Sequence, residues 1–391
     1  RATLLALLLP AAITLTACSE STTEPPTTRV VPIGGLFSLT GNWSTLGLTS
    51  EAALELAVED INASLDFIGS WLRLRALVED TELDPERALD AARRMREAGV
   101  RITLGPQSSA EVEALKSFAD ANGLLVVSQS STAGSLAIPD DNILRLTPGD
   151  SLEIVALGAL MLDDGIEAIV PLWRADAGNQ GLANAMRAHL PTLGIGVSPG
   201  AEYGTSQTDF DETLAVIRGE VEEAIAAVGA ARVAVALAAF DEAVDLFHAA
   251  ANDPVLSAVR WYGTDGIARS AALENGASAA DFAVRVGFVA PIFGLSDANA
   301  RKWRPIVERI GERTGLDADA FAVAVYDGAW VAAGAYLEAG ADADAESLRS
   351  QFIEVADAYR GGTGLMRLNA DGDRAEGNFD FFALEPVGDG F

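Results

Sequence analysis

Two clusters of hydroxyl side chains, each directly following an apolar run, are the residues of this chain best suited to chemistry. Ser108 and Ser109 follow Val100 to Leu104 and the pair Gly105-Pro106, and Ser128, Ser130, Ser131 and Thr132 follow Leu124 to Val127. Hydroxyls both donate and accept, and a helix opening at Ser109 adds free backbone N–H groups, so the two clusters together suit a carboxylate or another small anion. A third polar end, Gly263-Thr264-Asp265-Gly266, follows the apolar run Val259 to Tyr262 and places a carboxylate at a strand end. Each hydroxyl cluster also has a purely local use, Ser109 as a helix cap and Ser130 to Thr132 as a turn. Two such clusters in succession favour a shared site.

The elements that must position them are legible from periodicity. Apolar residues at Val112, Leu115 and Ala119 have helical spacing, and Asn122-Gly123 closes that helix. Strand, helix, strand is a right-handed crossover with parallel strands, so both hydroxyl clusters fall at one carboxyl edge of one sheet, where open α/β sheets bind ligands. Earlier, Val30 to Phe37 and Trp71 to Asp80 read as strands around a helix containing Ala53, Leu54, Ala57, Val58 and Ile61, and Asp84-Pro85 opens another helix. Pro148-Gly149-Asp150 marks a crossing into a second lobe with the same alternation. There, helices are expected at Leu152 to Leu162, Leu182 to Leu190, Asp209 to Ile217, Glu220 to Val228 and Glu242 to Ala251. Its strands are expected at Glu167 to Leu172, Gly196 to Pro199, Val233 to Leu237, Val259 to Tyr262, and Val284 to Ala290 before Pro291. Three further helices lead to a hinge at Gly361 to Gly364, a turn at Asn369 to Asp373 and a final strand, Phe379 to Leu384.

With 391 residues, 49% of them apolar, the chain is long enough for two domains with a core each. Asp and Glu number 57 against 27 Lys plus Arg, a net charge of -30, which argues against nucleic acid or anionic membrane surfaces as partners. Residues 1–17 form a short apolar stretch interrupted by Pro10; it is too short to span a bilayer and reads as a secretory leader, cut short at its start because the sequence opens on Arg1. Leu15-Thr16-Ala17-Cys18 resembles the lipobox of bacterial lipoproteins, whose cysteine is acylated and becomes the mature N-terminus. Cys18 is the sole cysteine, so an internal disulfide is excluded. Residues 18–29 then form a lipidated cysteine and a flexible tether, SESTTEPPTTR after the cysteine, and the protein is expected to be anchored to a membrane without spanning it.

From about Val30 to Leu384 the pattern resembles the type I periplasmic solute-binding proteins, in particular the branched-chain amino-acid-binding group of ABC-transporter receptors. The markers, in order, are Leu39-Thr40-Gly41, Ala57 to Asn62, Glu79-Asp80-Thr81 with Asp84-Pro85, Gly105 to Ser109, Tyr326-Asp327-Gly328 and Asn369 to Arg374. The resemblance implies an α/β fold of two doubly wound parallel-sheet lobes, joined by three crossovers and closing on a ligand in the cleft. Lobe 1 would hold residues 30–147 with 292–363, and lobe 2 residues 148–291 with 364–391. It implies that an α-carboxylate is held by hydroxyls and amides at Ser109, Ser130 and Thr132, beside Ser108, and an α-amine by Asp265. Four departures accompany it. Gly178 occupies the place of a frequent pocket aromatic, leaving that wall missing or supplied by Trp173. Phe240 stands near another pocket aromatic but lacks a hydroxyl, Asp265 is one methylene shorter than the usual Glu, and Ser64 to Phe67 replace a Gly-Gly turn.

Trp43, in an exposed-looking loop, has two readings: stacking on a ligand or covering the lobe edge. Asn369, Asp371 and Asp373 match the first positions of a calcium loop, but Arg374 stands where glycine is required, so a hairpin turn is expected and no metal. His189 and His248 lie in different helical stretches and give zinc or a histidine triad little to work with. No cofactor motif and no nucleophile–base pair stand out, so neither a cofactor nor an enzyme activity is expected. The expectation is an extracytoplasmic, lipid-anchored substrate-binding protein, in the periplasm or at the cell surface, that captures an amino acid or small carboxylate and delivers it to ABC permease subunits. The alternative is a ligand sensor or envelope-assembly regulator of the same fold.

Overall fold

The computed structural model describes residues 27–385; the expected leader, Cys18 and most of the tether lie outside the described residues. The first sheet is wholly parallel and contains β1 (Arg29–Phe37), β2 (Leu72–Asp80), β3 (Ile102–Leu104), β4 (Leu125–Ser128) and β5 (Ile143–Arg145), in the spatial order β2-β1-β3-β4-β5. The second contains β6 (Ala168–Arg174), β7 (Gly196–Val197), β8 (Ala201–Tyr203), β9 (Val233–Ala238), β10 (Arg260–Tyr262) and β11 (Val289–Phe293). A two-stranded hairpin, β12 (Arg360–Gly361) with β13 (Gly364–Leu365), precedes the last strand, β14 (Phe379–Ala383), which joins the second sheet antiparallel to β11. The second order is β14-β11-β10-β9-β6-β7, with β8 also on β6.

The two sheets repeat one winding. In each, the opening strand has its successor on one side and the rest on the other, so the order reverses between β1 and β3 and between β6 and β9. Crevices open at the carboxyl ends of strands beside such reversals. Strand β9, Val-Ala-Val-Ala-Leu-Ala, is buried at every position, as expected for a strand covered on both faces. Helix Ala320–Ala339 is apolar and long enough to cross a membrane, but it lies in the first lobe's core with Leu54, Ile61 and Phe352.

Four expectations are corrected. Arg29, assigned to the tether, opens β1, where its amide donates to the Trp71 carbonyl and its guanidinium pairs with Asp342. The two helices expected over 209–228 are one, Asp211–Val228, with Gly219 inside it. The strand expected over 284–290 is displaced: Ala277–Arg285 is helical, and β11 runs through Pro291 to Phe293. Proline is tolerated because Pro291 is in phase with Val289, whose carbonyl accepts from Gly263, so its missing N–H faces β10 beyond the point where that pairing ends.

The return crossing expected at 363/364 lies beyond Arg374. Met366 packs in the first lobe's core, the Arg145 amide donates to the Gly372 carbonyl, and the Arg374 amide donates to the Arg145 carbonyl. The glycine-rich segment read as a hinge is pinned at this point. Buried Asp327 accepts from the amides of Gly362 (3.0 Å) and Thr363 (2.8 Å) and from the Thr363 hydroxyl (2.6 Å). A Cβ on Gly361 would stand 2.1 Å from Asp327 Oδ1, so only glycine fits there. The turn at 369–373 is likewise occupied by protein: Asn369 Oδ1 accepts from the amides of Asp371 and Asp373, and Asp373 pairs with Arg145.

Candidate functional site: a cleft between two lobes

The first hydroxyl loop begins at Gly105, whose φ of +87° and close approach to the Leu36 carbonyl require glycine. Ser108, not Ser109, caps the following helix, Ser109–Asn122. Ser108 Oγ accepts from the Glu111 amide at 3.3 Å while Glu111 Oε2 accepts from the Ser108 amide at 3.0 Å, a reciprocal capping box. This frees Ser109 to face the second loop. Its Oγ accepts from the amides of Thr132 (3.3 Å) and Ala133 (3.2 Å) and shares a hydrogen bond with Ser131 Oγ (2.9 Å). Ser130 donates to the Gln107 carbonyl at 2.9 Å and Ser128 to the Pro106 carbonyl at 2.6 Å, so the two loops are stitched into one surface.

The residues expected to form the site converge. Trp43, Ser108, Ser109, Ser130, Thr132, Phe240 and Asp265 all line one cavity between the lobes, together with Gly178, Asn179 and Leu182. Its volume is about 20 Å³, room for about one water molecule. It adjoins, through Ser108 and Phe240, an outer cleft of about 910 Å³.

Trp43 is not exposed, with only 5% of its surface accessible. Its amide donates to Asp241 Oδ2 in the loop after β9 at 2.7 Å, and its ring lies 4.8 Å from Phe240 and 6.3 Å from Phe321. Gln107 holds this loop from behind, donating to the Trp43 carbonyl at 3.0 Å and accepting from the Ser38 amide at 3.2 Å. Asn42 donates to Glu242 Oε2 at 2.6 Å, a second bond between the loops after β1 and β9. Trp173 does not supply the missing wall: it sits in the second lobe's core, donating to Gln180 under the Arg187 guanidinium. At Gly178 a Cβ would lie 3.6 Å from Ser109, so the first lobe's own loop fills the space an aromatic would take.

Asp265 is placed at the cavity, in acidic company. Its amide donates to Glu153 Oε1 at 3.1 Å, and Asp150 and Asp319 are close enough to raise its pKa. Burial, then the Asp150 charge, push Asp265 up to about 8. Burial raises Asp150 to about 6, against the pull of the Thr132 hydroxyl and Arg145. Burial, then Asp265 and Asp150, push Glu153 well above the ordinary carboxylate range.

Sequence reasoning did not single out Asp150 and Glu153 as site residues. They occupy the first turn of helix Asp150–Asp163, where acidic residues usually just complement the helix dipole. The available signal was their spacing of three, which puts them on the same face as the apolar Ile154 and Leu157. Asp241 and Glu242 were also missed; only the fold brings them opposite Trp43 and Asn42.

A family model described as receptor family ligand binding region matches residues 49–386. The uncharacterized protein MJ1266 of Methanocaldococcus jannaschii is 28% identical over 382 residues, covering 92% of this chain and 88% of its own length. The Leu/Ile/Val-binding protein BraC3 of Rhizobium johnstonii is 24% identical over 192 residues, 49% of this chain and 52% of its own. Among solved structures, the branched-chain amino acid transporter substrate binding protein LivJ of Streptococcus pneumoniae, in complex with isoleucine, superposes with a TM-score of 0.70 at 18% identity, covering 88% of this chain and 94% of that one. A solute binding protein of an ABC transporter from R. palustris, in complex with benzoate, gives 0.73 at 16% identity, covering 91% and 94%. The fold is that of the type I periplasmic binding proteins.

Proposed function

We propose, from the premise that this chain belongs to the receptor family ligand binding region, that it captures an amino acid or related small carboxylate between its lobes and presents it to a membrane permease. One observation carries the reading: hydroxyls and amides of two first-lobe loops and Asp265 of the second lobe meet at one interlobe cavity. A carboxylate at Ser109, Ser130 and Thr132 and an amine at Asp265 would bridge the lobes, so that binding favours closure. The Leu/Ile/Val-binding relative and the structures holding isoleucine and benzoate support a small acid as the ligand class. Placement outside the cytoplasm, on a lipid at Cys18, rests on the leader-like residues 1–17 and the sequence Leu15-Thr16-Ala17-Cys18.

The test is a thermal-shift screen of amino acids and short carboxylates, followed by calorimetry. An affinity of roughly micromolar order is expected, and ligand at about 100 times its dissociation constant should stabilise the fold by roughly 2.7 kcal/mol. Asp265→Ala should lose more affinity than Ser109→Ala or Thr132→Ala for an amino acid. The order should reverse for its deaminated analogue, for which an Asp265 charge has no partner. Equal losses for both ligands in Asp265→Ala would remove Asp265 from the site. Cys18→Ser should abolish membrane association or leave an unprocessed precursor; a correctly cleaved, membrane-bound mutant would end the lipoprotein reading.

A further inference from the structure

We infer that the ligand carries net positive charge, its cationic groups facing Asp265 backed by Glu153 and Asp150, so that an amino acid with a second ammonium fits this cleft better than a neutral zwitterion. The inference rests on the proposed binding function and narrows its ligand class.

It begins with hydrogen-bond demand. Asp150 and Glu153 are 3% and 0% exposed, yet neither oxygen of Asp150, nor Glu153 Oε2, nor the neighbouring Thr264 hydroxyl, has a hydrogen-bond partner among the described residues. Asp150 is wedged at the junction of the lobes: its Oδ2 stands 2.4 Å from where a Cβ on Gly181 would be, a point itself 3.4 Å from first-lobe Ala133. Gly181 and Ala133 adjoin Leu182 and Thr132, which line the cavity. Glu153 reaches the same place through its bond from the Asp265 amide. The first-lobe side is different. The Thr132 and Ala133 amides already donate to Ser109, and the Ser130 hydroxyl already donates to Gln107. Unmet demand is therefore concentrated in acceptor oxygens at the second-lobe end, which calls for a ligand rich in N–H donors.

Charge points the same way. The nearby guanidinium groups are engaged elsewhere: Arg145 pairs with Asp373 and donates to the Ala133 carbonyl, Arg269 pairs with Asp317, and Arg174 stands between Asp176 and Glu242. The outer cleft continues the pattern, with Glu82, Glu113, Asp176 and Glu202 on its wall against the single guanidinium of Arg174. A zwitterion brings one ammonium and one carboxylate and so adds no net charge to three buried carboxylates. Burying unpaired carboxylates is costly, and raised pKa values show that protons otherwise supply the compensation. A second ammonium supplies that compensation from the ligand and provides three further donors.

Calorimetry at pH 7 with two amino acids of equal carbon number decides it. 2,4-Diaminobutyrate should bind about tenfold or more tightly than 2-aminobutyrate, and Glu153→Gln, which keeps an acceptor for the Asp265 amide, should shrink that ratio several-fold. If Glu153→Gln does not fold, the wild-type ratio at low and high salt serves instead, since a charge-driven preference weakens with screening. Equal or tighter binding of 2-aminobutyrate would overturn the inference and leave the proposed function standing. Binding of 1,3-diaminopropane with neither amino acid would uphold the inference while overturning the carboxylate reading, and absence of binding by all three would overturn both.

Discussion

The main-chain N–H of Trp43 donates to Asp241 Oδ2 at 2.7 Å, tying the loop after β1 in one lobe to the loop after β9 in the other. The Ser270 hydroxyl donates to the other oxygen of the same carboxylate, and the Trp43 and Phe240 rings stack beside it at an interplanar angle of 33°. Asp241→Asn keeps the size but turns one acceptor into a donor, so one of the two bonds must be lost. That should cost the contact between the lobes about 1–3 kcal/mol. Solution scattering should show a larger radius of gyration for Asp241→Asn, and a larger one again for Trp43→Ala, which also removes the stack. Unchanged radii for both would mean that the lobes are held together by other contacts.

Ser109 serves the fold as well as the candidate site. Replacing it by alanine removes the acceptor for two buried amides, Thr132 and Ala133, and should lower unfolding free energy by about 1–3 kcal/mol with no ligand added. Ser108→Ala should cost about 1 kcal/mol through its cap. Urea titrations of both would check this. A Ser109→Ala protein as stable as the wild type would show that the hydroxyl is not needed by its own loop.

What could be read from the sequence follows from how local each signal is. Ser108 to Thr132 were legible because a strand that ends in hydroxyls before a helix has few other uses, and the crossover rule then fixes the edge on which both loops lie. Trp43 was misread as exposed because what buries it, Phe240 and Phe321, is about 200 or more residues away in the chain. Pro291 looked like a strand end because its tolerance depends on where β10 stops. Residues 364–374 were placed in the wrong lobe because glycine density signals a bend equally well whether the backbone is free or, as at Asp327, fully hydrogen-bonded. Asp150 and Glu153 sat in the one helical turn where acids need no explanation.

Asp327 should be the most sensitive single position outside the cleft. Asp327→Ala leaves the amides of Gly362 and Thr363 and the Thr363 hydroxyl without their acceptor, and removes the buried anion nearest Arg374. Arg374 itself donates to the carbonyls of Thr363 and Leu365, so the strand return is affected as a unit. A loss of about 3–5 kcal/mol is expected in urea unfolding, while Thr363→Ser, which keeps the hydroxyl, should cost far less. A mild Asp327→Ala phenotype would mean that the β12–β13 hairpin is held by apolar packing around Met366 instead.

Stability should fall as pH rises through the neutral range, with the buried carboxylates as the cause. Burial and mutual repulsion put Asp150 at about 6 and Asp265 at about 8, against an ordinary value of 3.8, and raise Glu153 well above its own. The folded chain therefore retains protons that the unfolded chain releases near pH 4. The contribution of these groups is complete below that pH, declines above it, and is gone once pH has passed through the folded values of about 6 and 8. Each proton so held gives a slope of at most about 1.4 kcal/mol per pH unit. Asp60 and Asp80 run the other way: burial alone would raise them, but hydrogen bonds from Arg309 and Tyr326, and from Thr40 and neighbouring amides, bring them below 3.8. Their contribution is lost only in acid, so it does not cancel the decline between pH 5 and 8. Thermal unfolding should give a higher midpoint at pH 5 than at pH 8, and Glu153→Gln and Asp265→Asn should each flatten the profile. Midpoints that rise from pH 5 to 8 in the wild type would mean that these carboxylates are hydrated, and that the acceptors at the second-lobe end of the cleft are already satisfied.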